Sequence, residues 1–256
     1  MKFTTAYCTD VGTRKKTNQD SLLILQAETK QGTVLMASVC DGMGGLAKGE
    51  VASAAMVGVL NEWFKKDLPQ LLKDGIKSEE LRSSWEKAVS DAGRKIAAYG
   101  ERNHVELGTT AVVLLIIADT FYIMNVGDSR VYMITDAVYQ LTKDQTYVQQ
   151  EVDLGRMTPQ EAMMSSQKGV LLQCIGASSE VRPNFVAGDV NPGQVFMLCC
   201  DGFRHVIQPS EFYEAFNPDR MVDKQAMEQA ASDMTQLNIA RGEEDNISVI
   251  LIKVDA

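Results

Sequence analysis

Thr33-Val34-Leu35-Met36-Ala37-Ser38-Val39-Cys40-Asp41-Gly42-Met43-Gly44-Gly45 joins an apolar run of strand length to a carboxylate and three glycines in four residues. The run reads as a buried strand. The glycines leave backbone bare enough for a ligand to come close to the Asp41 side chain. A helix follows from near Ala47, with Val51, Ala55, Val59 and Trp63 at helical spacing and Met56 and Leu60 beside them up to Lys66. On the other side, Ser21 to Ala27 pairs with Thr33 to Cys40 around the turn Thr29-Lys30-Gln31-Gly32. Taken alone, Asp41 is equally well a capping residue at a strand-to-helix turn.

The remaining pattern is mixed. Phe3 to Val11 alternates as a strand, and Leu81 to Arg102 is a second long amphipathic helix. Gly108 to Ile117, Phe121 to Val126, Ser129 to Ile134 and Val138 to Leu141 are strands on connections short enough to imply antiparallel neighbours. Lys143 to Lys168 turns polar and helical, with Thr158-Pro159-Gln160-Glu161 as a helix start, and reads as a lobe outside the main sheets. Strands at Val181 to Ala187 and Gln194 to Cys200, helices at Ser210 to Phe216 and Asp223 to Leu237, and a last strand at Ile247 to Val254 complete the chain. Two sheets packed together with helices outside is the α+β arrangement this order favours.

Composition narrows the function classes. With 256 residues, 45% hydrophobic and 23% charged, the chain is long enough for a sizeable core, and no linker or repeat divides it. The net charge of −9 argues against nucleic acid or an anionic membrane as partner. The longest wholly apolar run, Ala111 to Ala118, is too short for a membrane span. Five scattered cysteines without a C-x-x-C pair read as reduced thiols of a cytoplasmic protein and argue against a zinc site.

Asp41 is not the only acid so placed. Asp20 precedes a strand, Asp201 follows Val195 to Cys200, and Asp245 precedes the last strand. Each alone suits a turn. Together at one sheet edge they would need a counter-charge, which a hard divalent cation with oxygen ligands provides. Arg14, in the basic loop before Asp20, would suit a phosphate there, or be a solvated loop arginine.

These residues also carry a resemblance. Gly12-Thr13-Arg14 with Asn18-Gln19-Asp20, Asp41 to Gly45, Gly108-Thr109-Thr110-Ala111, Val126-Gly127-Asp128-Ser129-Arg130, Leu141-Thr142-Lys143-Asp144, Cys200-Asp201-Gly202-Phe203 and Asp245-Asn246-Ile247-Ser248 stand in one order along nearly the whole chain. In that order the chain resembles metal-dependent protein phosphatases of the PPM (2C) type in their short bacterial form. The resemblance implies two packed, mainly antiparallel β-sheets flanked by helix pairs, a four-layer αββα sandwich. It implies one catalytic domain over residues 1–256, with a flap subdomain at about 143–180.

It further implies hydrolysis of phosphoserine and phosphothreonine in proteins by activated water, with no phosphoenzyme. The cofactors would be Mn²⁺ or Mg²⁺, two per site with a weaker third. Asp41 would bridge both ions, with the Gly42 carbonyl on one, and Asp201 and Asp245 on the other. Asp20 would ligate or orient metal-bound water, Asp128 would share the third site with Asp201, and Arg14 would bind the substrate phosphate. The implied partners are phosphoproteins, a Ser/Thr kinase among them, and the protein would act as a monomer. Met43 stands where eukaryotic relatives have a histidine, so the resemblance leaves proton delivery to water. Gln145 and Ser165-Ser166-Gln167-Lys168-Gly169 depart from the usual flap. His205, four residues past Asp201, reads as a surface histidine at a helix start, with a helper in proton delivery as the other reading. Two further readings stay open: a binding module that has kept the fold and lost the metals, and a phosphatase of small phosphoesters.

Overall fold

The computed structural model describes residues 1–44, 48–73 and 75–255. Gly45 and the expected helix start near Ala47 lie outside the described residues. In chain order the elements are β1 (Lys2–Asp10), β2 (Asp20–Thr29), β3 (Gly32–Gly44), α1 (Gly49–Lys66), α2 (Leu68–Leu71) and α3 (Ser78–Asn103). Then come β4 (Leu107–Thr109), β5 (Ala111–Ile117), β6 (Thr120–Val126), β7 (Arg130–Ile134) and β8 (Val138–Gln140). After α4 (Tyr147–Asp153) and α5 (Pro159–Met164) follow β9 (Asn184–Asp189), β10 (Val195–Cys199), α6 (Pro209–Phe216), α7 (Lys224–Ala240) and β11 (Ile247–Asp255).

The strands form two antiparallel sheets. One runs β1-β11-β10-β7-β8; the other runs β2-β3-β5-β6-β9, with β4 added to β3. Alternation along β3 and β5 explains the layering. Leu35, Ala37 and Val39, with Val112, Leu114 and Ile116, enter the core between the sheets. Val34, Met36 and Cys40, with Val113, Leu115 and Ile117, face the other way into a second core under α1 and α3. Both faces of these strands are therefore covered, which is why their sequence is an unbroken apolar run. On the far side Phe203, Phe212 and Phe216 stack near Met227 and Ala231 of α7. The result is the expected α+β fold: two sheets face to face with helices outside.

Two sequence readings change. Gly127-Asp128-Ser129 is short, but it does not join antiparallel neighbours: β6 pairs with β5 and β9, while β7 pairs with β10 and β8. The link crosses from one sheet to the other at their common edge and leaves Asp128 there. A loop's length limits its reach, not the sheet it reaches. The run read as one strand over Gly108 to Ile117 is interrupted at Thr110. Its two parts, β4 and β5, keep one register against β3. The Thr110 hydroxyl accepts the Asp41 N–H (3.0 Å), replacing a ladder carbonyl, while the Thr110 N–H donates to the Asp41 carbonyl (2.8 Å).

Residues 143–180 contain α4, α5 and the isolated bridge Thr146 to Leu171, and a second bridge, Ile175 to Thr109, joins the segment to β4. The Thr158 start carries a full capping box with Glu161, as the sequence suggests. Gln145 ties the segment down: its Oε1 accepts the Gly127 N–H (2.8 Å), and its Nε2 donates to the Arg182 carbonyl (3.2 Å).

Candidate metal centre

The strand ends at one edge of the two sheets surround a cavity of about 570 Å³. Asp41, Gly42, Met43, Asp128, Asp201 and Asp245 line it, with Lys15 at one side and stretches of Gly169 to Ser178 forming a wall. Each acid arrives by a different piece of backbone. Asp41 lies inside β3, not after it, and stands directly opposite Asp20 of β2 in register. Residues opposite one another in a sheet share a face, so two like charges are set side by side, a destabilising pair unless something compensates. Asp201 follows β10, and Asp245 precedes β11.

Glycines allow the close approaches. A Cβ on Gly42 would stand 2.5 Å from the Gln19 carbonyl oxygen and would also strike the Gly49 carbonyl. A Cβ on Gly202 would strike the Asn246 carbonyl, next to Asp245. Asn246 then fixes the first loop: its Oδ1 accepts the Gln19 N–H (2.8 Å), and its Nδ2 donates to the Val11 carbonyl (2.9 Å).

The electrostatics are those of a cluster short of positive charge. Both carboxylate oxygens of Asp20 are buried without a hydrogen-bond partner. Burial pushes Asp20 up to about 7, opposed by the nearby Ser248 hydroxyl and Cys200 thiol and reinforced by Asp201 and Asp245. Burial also raises Asp41 well above the usual carboxylate range, with Asp20, Asp201, Asp128 and Asp245 adding to the rise. Asp128 rises to about 7 through burial and Asp201, with Arg204 opposing. Among the described residues no three His, Cys, Asp or Glu side chains already stand as the ligands of one ion. Mg²⁺ and Mn²⁺ do not require that, since they keep several waters and bind through one or two carboxylates. Buried, partnerless carboxylate oxygens facing other carboxylates are a donor set that fits such ions.

The expected residues are not all gathered. Asp41, Gly42, Asp128, Asp201 and Asp245 share the cavity, and Asp20 lies beside Asp41. Arg14 does not enter it. Its side chain is 76% exposed and pairs with Glu244 (2.6 Å), lining a neighbouring hollow that shares Lys15 and Asp245 with the cavity. The cation in the cavity wall is Lys15, whose Nζ meets Asp245 Oδ1 at 2.8 Å. Sequence reasoning passed over Lys15 as part of a basic loop.

His205 is not a surface helix start. It lies in the turn after β10, half-buried, with Nε2 3.3 Å from Asp201 Oδ2 and Nδ1 3.4 Å from Glu243 Oε2. Burial opposes its charge, but Glu243 and Asp201 hold the imidazole above its ordinary value. Glu243 also accepts the Glu244 and Asp245 N–H groups at 3.0 Å each, tying the backbone of one acid to the side chain of another. Arg204, likewise missed, is buried between Asp128 and Asp144.

Comparison with known proteins decides the family. The family described as Protein phosphatase 2C matches over residues 12–250. The chain belongs to the protein phosphatase 2C family. It is 29% identical to the serine/threonine phosphatase stp of Listeria innocua over 96% of this chain and 93% of that protein. It is equally 29% identical to the serine/threonine protein phosphatase PstP of Mycobacterium tuberculosis, over 96% of this chain and 44% of that longer protein. Among solved structures, the Streptococcus agalactiae serine/threonine phosphatase superposes with a TM-score of 0.84 at 27% identity, covering 99% of this chain and all of that one. The catalytic domain of PstP in complex with two manganese ions superposes with a TM-score of 0.78 at 28% identity, covering 99% of each chain. This protein phosphatase also has, among its described residues, no helix long and apolar enough to cross a membrane.

Proposed function

We propose that this protein phosphatase removes phosphate from phosphoserine and phosphothreonine in proteins, using a binuclear divalent centre at the carboxylate cavity. The observation that carries the reading is the convergence of Asp41, Asp128, Asp201 and Asp245 on one cavity beside the partnerless carboxylate of Asp20. Asp41, the Gly42 carbonyl, Asp201 and Asp245 would hold the ions, Mn²⁺ or Mg²⁺, with Asp20 as ligand or as acceptor for a coordinated water. Bound there, the ions would bring water toward ionisation near neutral pH and offset charge on the phosphoryl oxygens. Asp128 is the remaining acid of the cavity, the ligand that a weak third ion would need.

The chain's own side chains supply the rest. Asp20, opposite Asp41 across the ladder, is placed to accept a hydrogen bond from water at the site. Arg14 is on an exposed loop one residue from Lys15 and can leave Glu244 for a phosphate, gripping two oxygens at once. His205 and Glu243 hold Asp201 and the backbone of Asp245 in fixed relation. Three of the thiols are poor nucleophiles: burial pushes Cys40 and Cys199 up to about 12, and Cys200 well above its ordinary value. On this reading activated water is the nucleophile and no phosphoenzyme forms. Met43 in the cavity wall offers no proton, so the leaving alkoxide takes its proton from water.

On this reading residues 1–256 are one catalytic domain, monomeric and cytoplasmic, with residues 143–180 as a flap over the substrate. Relatives named serine/threonine phosphatases support the substrate class; the substrates would include a Ser/Thr kinase whose signalling it reverses. The test is hydrolysis of a phosphothreonine peptide and of nitrophenyl phosphate with Mn²⁺, each with and without chelator. Chelator-sensitive hydrolysis that favours the peptide supports the proposal. Absence of any chelator-sensitive hydrolysis removes it, and turnover of small phosphoesters alone removes the protein substrate.

A further inference from the structure

Arg204 belongs to none of the roles above, yet it is among the most enclosed cations in the chain. Its side chain is 12% exposed, and that of Asp128 is 7% exposed. Nη2 donates to the Asp128 carboxylate at 3.0 Å and to the Asp128 backbone carbonyl at 3.0 Å, and lies 3.5 Å from Asp144 Oδ2. Asp144 in turn receives a two-bond grip from Arg130, at 2.8 and 2.7 Å. Asp128, Arg204, Asp144 and Arg130 thus form a largely enclosed row of alternating charge in which each carboxylate already has its cation.

The backbone that carries Arg204 is fixed as firmly. Its N–H and that of His205 donate to the Asp201 carbonyl at 3.0 and 3.1 Å. Phe203 before it is fully buried in the aromatic stack, and its carbonyl receives Asn238 Nδ2 at 3.2 Å. A guanidinium does not lose its proton at any pH a protein survives, so this positive charge at Asp128 is permanent.

We infer that Arg204 stands in place of a third metal ion: the Asp128 carboxylate is committed to a built-in cation, and the centre takes two divalent ions, not three. This rests on the two-ion reading above and departs from the expectation that Asp128 ligates a weak third ion. An ion entering at Asp128 would have to displace the guanidinium or sit beside it against like charge. The substitution also makes that third charge independent of metal supply. Because Asp144 opens the 143–180 segment, the same arginine ties the base of that segment to the metal edge.

The test is Mn²⁺ stoichiometry, read by equilibrium dialysis and by the loss of the free-Mn²⁺ electron paramagnetic resonance signal. The unmodified protein should bind two ions and no third up to millimolar Mn²⁺, and Asp128→Asn should leave that count at two. Arg204→Ala should gain a weak third site that the added Asp128→Asn change removes. Arg204→Lys, which keeps the charge, should stay at two. A third ion on the unmodified protein that disappears in Asp128→Asn overturns the inference and leaves the proposed function standing. Should Arg204→Ala fail to fold, the count on the unmodified protein still decides. A protein that binds no Mn²⁺ at all overturns both.

Discussion

Replacing Asp20 by Asn should make the metal-free protein more stable, although it removes a residue of the proposed centre. The reason is the sign of the Asp20 shift. Its carboxylate moves from 3.8 to about 7 in the fold, chiefly by burial, which outweighs the opposing Ser248 hydroxyl and Cys200 thiol. An acid whose folded-state value is raised binds its proton more tightly folded than unfolded. The stability of the metal-free protein therefore falls as pH rises from about 4 to about 7, and the full loss is present above that. A rise of about three units, at 1.36 kcal/mol each, is on the order of 4 kcal/mol. The Asn amide, left without partners in its turn, returns about 1–3 kcal/mol of that. The net gain is roughly 1–3 kcal/mol, a rise in Tm of several degrees for a chain of this length. Thermal unfolding by circular dichroism in chelator, at pH values from about 4 to about 8, measures it. Asp20→Asn should exceed the parent at the alkaline end, and the gap should close toward the acid end. Added Mn²⁺ should raise the parent's Tm more than the variant's. A variant less stable than the parent at alkaline pH, or a gap that ignores pH, would refute the reasoning.

Gly42→Ala drives a methyl group onto the Gln19 and Gly49 carbonyls, rigid backbone that cannot give way cheaply. It should cost about 1–3 kcal/mol by overpacking and lower Tm accordingly, with Mn²⁺ affinity falling as Asp41 shifts. Arg14→Ala should raise KM for a phosphopeptide roughly tenfold, the effect of losing a charged phosphate contact. Its Tm should not move, because the Arg14 pair is exposed; a KM equal to that of the parent would place the phosphate elsewhere, with Lys15 the next candidate. Cys174→Ser should keep its turnover, since water is the proposed nucleophile although Cys174 lines the cavity wall; loss of turnover with the fold intact would point to a covalent intermediate.

Strands were legible where burial is two-sided. Thr33 to Cys40 and Ala111 to Ile117 could not be other than core strands, because both faces meet apolar layers. The acids were legible as candidates, each at a strand end, but that Asp20 and Asp41 stand opposite one another follows only from the register of β2 against β3. Contacts between sheets were not. Nothing in Gly127-Asp128-Ser129 says that the chain changes sheet there, yet that crossing is what brings Asp128 to the metal edge. The same limit applies to the cations. Arg14, Lys15 and Lys16 are one basic loop in sequence; in the fold Lys15 pairs with Asp245 while Arg14 pairs with the exposed Glu244. Arg204 and His205 look like surface residues after a strand until the turn they occupy folds back onto Asp128, Asp201 and Glu243.

A crystal soaked in Mn²⁺ and measured at the manganese absorption edge tests the central claim most directly. The account predicts two anomalous peaks, both within bonding distance of Asp41, one of them shared with Asp201 and Asp245. No peak at Asp41, with Mn²⁺ saturating elsewhere, would contradict it.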